Sequence, residues 1–181
     1  SWAVGKAAQA LGLVKQNIAE RQAQVTTLSL GEGPREFLFG LACTGGWMID
    51  AFNWGGKYGT DNTTRCIGLA DHACDAIVGY YVDDKFYKWT GSGVQPGFGG
   101  ALRIDFVNAT ANGTPPPDYA VTATAGADDA WTASDVMAGV TRVWVTTKFD
   151  DKVWTQGHPR LKFVLRGLRL YDPRKDDRFG Y

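Results

Sequence analysis

The chain has 181 residues with a 44% apolar share, enough to bury a core in one domain without disulfide staples. Nineteen basic and nineteen acidic side chains cancel, which removes the electrostatic argument for a nucleic-acid or anionic-membrane partner. Cys43, Cys66 and Cys74 are odd in number and lack C-x-x-C spacing, so they signal neither a disulfide framework nor a zinc site and read as reduced, mostly buried thiols.

Residues 1–23 are rich in Ala, Gln, Leu and Lys, good helix formers weakened by Gly5 and Gly12, and read as a short helical or extended arm. From Val25 the pattern changes to short β-branched and aromatic runs: VTTLSL (25–30), EFLFGLACT (36–44) and WMIDAF (47–52), with GEGP (31–34) as a turn. The segment NWGGKYGTDNTT (53–64) is too rich in Gly, Asn and Thr for a ladder and is expected to be a loop. RCIGLA (65–70) and AIVGYYV (76–82) read as central strands, and Asp83–Asp84 as a hairpin turn into KFYKW (85–89).

A glycine-rich loop over 91–100 precedes LRIDFV (102–107), whose strict alternation marks a half-buried strand. NATANGTPPPD (108–118) is expected to be a long surface loop. VTRVWVTT (140–147) is a clear strand, with Trp144 directed away from the face of Val143 and Val145, and core packing is the expected role of the tryptophans. In RLKFVLRGLRLYD (160–172) the apolar phase shifts after Leu165, which predicts a β-bulge at Gly167 that keeps Leu168 and Leu170 from exposure. The reading is a mainly β fold with a short N-terminal helix: a compact antiparallel barrel or sandwich with long loops, divided into an arm (1–23), a β-rich domain (24–172) and a connection (173–181) to a further part of a longer protein.

Between Lys152 and Arg178 stand eight Lys or Arg against three Asp, an imbalance that suits alternating charges on solvated strand faces and also suits head-to-tail stacking of subunits. The longest apolar stretch, 37–49, is broken by Thr44, Gly45 and Gly46 and falls below the ~20 residues of a membrane helix. The sequence opens at Ser1 with no basic, apolar and small-residue signal pattern, so a secretory route is not expected.

Few residues point to chemistry. His72 lies in ADHACD beside Asp71, Cys74 and Asp75, yet strand spacing aligns only His72 with Cys74, too few ligands for a tetrahedral metal site. A Cys74 nucleophile with His72 as base lacks an orienting third group. The acidic pairs Asp83–Asp84, Asp128–Asp129 and Asp150–Asp151 sit in turn-like contexts, no G-x-S-x-G, Walker or G-x-G-x-x-G pattern occurs, and the sequons at Asn62, Asn108 and Asn112 serve as markers of exposed loops. No catalytic residue, metal ligand or cofactor is therefore expected.

Six segments, in order across about 145 residues, carry a resemblance: GEGPREFLFG (31–40), GG (45–46), FNWGGKYGTD (52–61), IGLADHACDAIVGYYVDD (67–84), WTASD (131–135) and PRLKFVLRGLRLYDPRKD (159–176). Together they resemble the central region of the large tail-tip proteins of siphophages and gene transfer agents, the lambda-like host-specificity or baseplate hub proteins. The resemblance implies a non-enzymatic virion protein, made in the bacterial cytoplasm, that closes the tail tube and connects it to receptor-binding parts. Its implied partners are tube and distal tail subunits, two further copies in a homotrimer, and a host surface glycan or receptor, without nucleic-acid recognition or a membrane segment. Trp54 and Tyr58, if they project from their loop, are candidate subunit contacts, as is Arg174 of the Tyr-Asp-Pro-Arg element. Two other readings stand beside it: a carbohydrate-binding β module, and a hydrolase built on Asp71, His72 and Cys74.

Overall fold

The computed structural model describes residues 35–155 and 157–169. The expected arm (1–23), the run 25–30, the turn 31–34, Leu170, Arg174 and the connection 173–181 lie outside them.

The elements are β1 (Leu41–Thr44), β2 (Trp47–Trp54), β3 (Asn62–Ala70), β4 (Ala76–Val82), β5 (Lys85–Lys88), β6 (Gly93–Val94), β7 (Leu102–Val107), α1 (Asp118–Thr124), β8 (Thr141–Lys148) and β9 (Leu161–Arg166). They build two antiparallel sheets, ordered β1–β9–β4–β5 and β2–β3–β8–β7–β6. The sheets do not close on each other, so of the two expected architectures the sandwich is the one present. The period-two pattern explains the packing: Leu102, Ile104, Val143, Val145 and Ile67 turn one way, Ile77, Tyr80, Phe163 and Leu165 turn to meet them, and all are buried in one cluster.

The five-stranded sheet is covered on its other face as well. Strand β8 is buried along seven of its eight residues, because Trp144 packs away from Val143 and Val145 into a second cluster with Cys66 and Ala120. Trp131 meets Trp144 edge-on at 5.1 Å and donates its indole N–H to Asp50 Oδ2 at 2.6 Å. The covering layer comes from the segment between β7 and β8, held down by Arg142. That guanidinium donates to the carbonyls of Thr114, Met137 (3.3 Å) and Val140 (3.5 Å), so one buried cation gathers three points of the layer.

Four expectations change. The stretch 53–64 is a hairpin tip with a loop only over 55–61: β2 runs to Trp54 and β3 starts at Asn62. Its threonines hold the ladder by side-chain bonds, Thr63 Oγ1 to Asn53 Oδ1 (2.7 Å) and Thr64 Oγ1 with Thr146 Oγ1 (2.8 Å). The expected loop 108–118 ends in helix α1, entered from Pro117 with Asp118 in its first turn, where an acidic side chain complements the helix dipole. Within the glycine-rich stretch 91–100, Gly93 and Val94 pair briefly with β7.

Finally, Gly167 is not a bulge. A Cβ there would lie 2.1 Å from the Leu38 carbonyl oxygen, so glycine permits a close backbone approach, and Leu168 stays 38% exposed beyond it. The register shifts fall instead at Met48/Asp50, Gly68/Ala70 and Ile77/Gly79. The turn at Asp83–Asp84 is as expected: both residues have positive φ (47° and 70°), as a tight two-residue hairpin connection requires.

Candidate functional site

The aromatic residues singled out in the sequence lie at the β2–β3 hairpin tip, facing helix α1. Between the tip and the helix is a cleft of about 620 Å³ lined by Asn53, Trp54, Gly55, Asp118, Tyr119 and Thr122, among others. Trp54 does not project freely. It is half-buried, donates its indole N–H to Thr64 Oγ1 at 2.8 Å, and stacks on Tyr119 with ring centres 6.2 Å apart. Tyr58 does project, 80% exposed at the loop apex, with Lys57 Nζ 5.4 Å from its ring centre.

Tyr119 anchors a polar chain behind the cleft. Its hydroxyl donates to Asp105 Oδ2 at 2.9 Å, and Arg103 grips the same carboxylate through Nε (2.7 Å) and Nη2 (3.3 Å). Arg103 also lies 4.9 Å from the Tyr119 ring centre, completing an Arg–Tyr–Trp stack. Burial first, then the Asp105 charge, pushes the Tyr119 phenol well above its ordinary range, so it acts as a donor that keeps its proton. The Asp105 hydrogen bond raises the Arg103 guanidinium in turn. This arrangement is rigid and holds charge in place; it offers a binding wall, with exposed Asn53, Asp118 and Thr122 at its rim. Sequence reasoning missed Tyr119, Asp105 and Arg103. The only signal for α1 was a proline run followed by Asp118, and nothing in the sequence places Tyr119 against Trp54, 65 positions earlier.

The ADHACD cluster is a structural latch. Leu38 N–H donates to His72 Nε2 at 2.9 Å, which leaves Nδ1 protonated to donate to the Ala73 carbonyl at 2.8 Å, and Phe37 stacks on the ring at 5.6 Å. Both ring nitrogens are thus committed to the backbone. Cys74 is buried, its thiol pushed up by desolvation, and its backbone N–H and C=O both bond the Asn108 side chain at 2.9 and 2.7 Å. Arg35 pairs with Asp71 at 3.3 Å and Arg169 with Asp75 at 2.6 Å. Among the described residues no group of three or more His, Cys, Asp or Glu is placed to hold a metal ion.

The other flagged residues separate. Asn108 is tied into that latch and Asn62 pairs within β3, so neither marks an exposed loop; Asn112 is exposed as expected. Asp84 pairs with Lys162 and Arg160 at the sheet end, and Arg174 lies outside the described residues. Among the described residues no helix is long and apolar enough to cross a membrane.

No family model and no curated protein matches the chain. Among solved structures, a chain of "Virion of native gene transfer agent (GTA) particle" is similar over 76% of this chain and 30% of its own, at 13% identity and a TM-score of 0.46. This chain therefore spans less than a third of that one's length.

Proposed function

We propose that the chain is a structural subunit of a phage-type tail tip, part of a baseplate hub or host-specificity protein that closes the tail tube and connects it to receptor-binding parts. The observation that carries the reading is the outer face of the four-stranded sheet. Leu41 (69% exposed) on β1 and Phe86 on β5 lie on that face, and Phe39 and Leu168, bridged to each other beyond the ends of β1 and β9, are exposed as well; we take these side chains as the apolar band that a partner covers. The six-segment resemblance supplies the kind of assembly. In this reading the protein has no catalytic role, the His72 latch and the Arg142 clamp serve rigidity, and the band is buried against neighbouring tail proteins in the virion.

Mass spectrometry of purified particles tests it. Peptides such as LYDPR (170–174) are expected at low copy number alongside other tail proteins. Their absence from intact particles whose remaining tail proteins are well covered would overturn the reading.

The cleft beside Trp54 and Tyr119 favours a second reading, a carbohydrate-binding module, since aromatic faces rimmed by amide, carboxylate and hydroxyl groups suit sugar rings. It predicts a saccharide-dependent change in tryptophan fluorescence that Trp54→Phe removes.

A further inference from the structure

Two arginines are buried in the five-stranded sheet, and the fold matches them unequally. Arg142 donates through Nη1 and Nη2 to three carbonyls, and of its guanidinium only Nε is buried without a partner. Arg65 is 6% exposed, yet its Nε and Nη2 have no hydrogen-bond partner, and none of the ion pairs among the described residues involves it. A cation kept dry without an anion is costly, and an apolar side chain of similar volume would fill the place without that cost.

The register shows what surrounds it. Arg65 pairs with Ala51 on β2 and Val145 on β8, so it shares the inner face with Val145 and Ile67, within the sandwich. The next row on that face is Asn53, Thr63 and Thr147. Thr63 donates to the Asn53 amide oxygen at 2.7 Å, which directs the Asn53 Nδ2 donors elsewhere, and Thr147 Oγ1 reaches His158 Nδ1 at 3.3 Å. Ala51 is small and half-buried, Asn53 is exposed, and β2 is the sheet's edge strand, so the row opens toward the sandwich flank. The dark edge of Arg65, Nε with Nη2, is the two-pronged fork that matches a carboxylate or phosphate.

We propose that Arg65, flanked by Asn53, is an oxyanion-binding position whose ligand is a carboxylate or phosphate group from outside the fold. The group arrives either as a free anion or as an acidic side chain of a second copy seated at the β2 flank. Neither depends on the tail-tip reading. Bound, the anion takes both dark donors and turns an unpaired buried charge into a bidentate pair.

The test compares calorimetric melting of the full chain with Arg65→Met and Ala51→Asp. Buffers of equal ionic strength contain sodium chloride, sodium acetate or sodium phosphate, each at two protein concentrations fifty-fold apart. A free anion is expected to raise the wild-type Tm by about 3 °C or more in acetate or phosphate over chloride, with no such rise in Arg65→Met. A second copy is expected to raise the wild-type Tm with protein concentration, with self-association in sedimentation that Arg65→Met lacks. Ala51→Asp keeps the arginine and places a carboxylate directly across from it. It is expected to melt higher in chloride and to lose both responses, which keeps the test decisive should Arg65→Met fold poorly. A wild-type chain indifferent to anion and to concentration overturns the proposal.

Discussion

At the scale of single residues, buried and exposed charges behave oppositely. Removing the Arg142 guanidinium as Arg142→Met strands three carbonyls under the covering layer and is expected to cost about 3 kcal/mol in urea unfolding. Arg65→Met removes a charge that no described residue pairs, and the isolated chain in chloride is expected to gain stability. Burial lowers the Arg65 guanidinium from its ordinary value to about 10, so above pH 10 the unfolded chain binds more protons than the folded one. The penalty is complete below pH 10 and shrinks above it, and the melting difference between wild type and Arg65→Met should narrow there. Asp84 is an exposed counterexample: hydrogen bonding to Lys162, then the charges of Lys162 and Arg160, hold its carboxyl below the ordinary 3.8. A depressed carboxyl contributes above its unfolded pKa and loses that contribution as pH falls through its folded one. Asp84→Asn, which tolerates the same positive φ, is expected to lower Tm slightly at neutral pH and to match wild type once acid has protonated the folded carboxyl.

At the scale of elements, β8 and β3 carry the design. Each is buried on both faces, so each reads as a near-continuous buried run in which polar residues must find partners. Thr64 and Thr146 do so with each other, at 2.8 Å. Gly68 in β3 has a different task. A Cβ there would lie 2.3 Å from the Trp47 ring, so Gly68→Ala is expected to cost about 1–3 kcal/mol by overpacking and to shift tryptophan emission. The free edges are unequal: β5 has four residues and β6 two, short edges of the kind that blunt unwanted pairing, whereas β2 has eight. That asymmetry puts the long open edge on the flank nearest Arg65.

At the scale of the whole molecule, the sandwich has one finished and one unfinished exterior. The five-stranded sheet is roofed by α1 and the segment around Trp131, while the outer face of the four-stranded sheet leaves Leu41 and Phe86 exposed, with Phe39 and Leu168 exposed beyond the ends of β1 and β9. Under the proposed function, Phe39→Glu with Leu41→Glu should change the stability of the isolated chain by no more than about 0.5 kcal/mol, because both side chains already meet water. The same pair should abolish recovery of the chain in purified particles. Recovery at wild-type levels would show that the band is not the contact surface.

Two strands were legible in the sequence alone: AIVGYYV, by its apolar run, and LRIDFV, by its strict alternation, match β4 and β7 residue for residue, and the opposed directions of Trp144 and its valine neighbours follow from the two-residue period. Local chemistry also placed the turn at Asp83–Asp84, because positive φ at two successive positions demands such residues. Tertiary structure decided the rest. The threonines of 62–64 form a ladder only because Asn53, Trp54 and Thr146 lie across from them, and Gly167 is needed for the approach of Leu38, 129 positions away. Trp54 and Tyr119 become one wall, and Arg65 becomes an unpaired charge, only when distant strands align. A one-dimensional pattern encodes which face a residue takes; which partner waits on that face is set by the packing of sheets against each other.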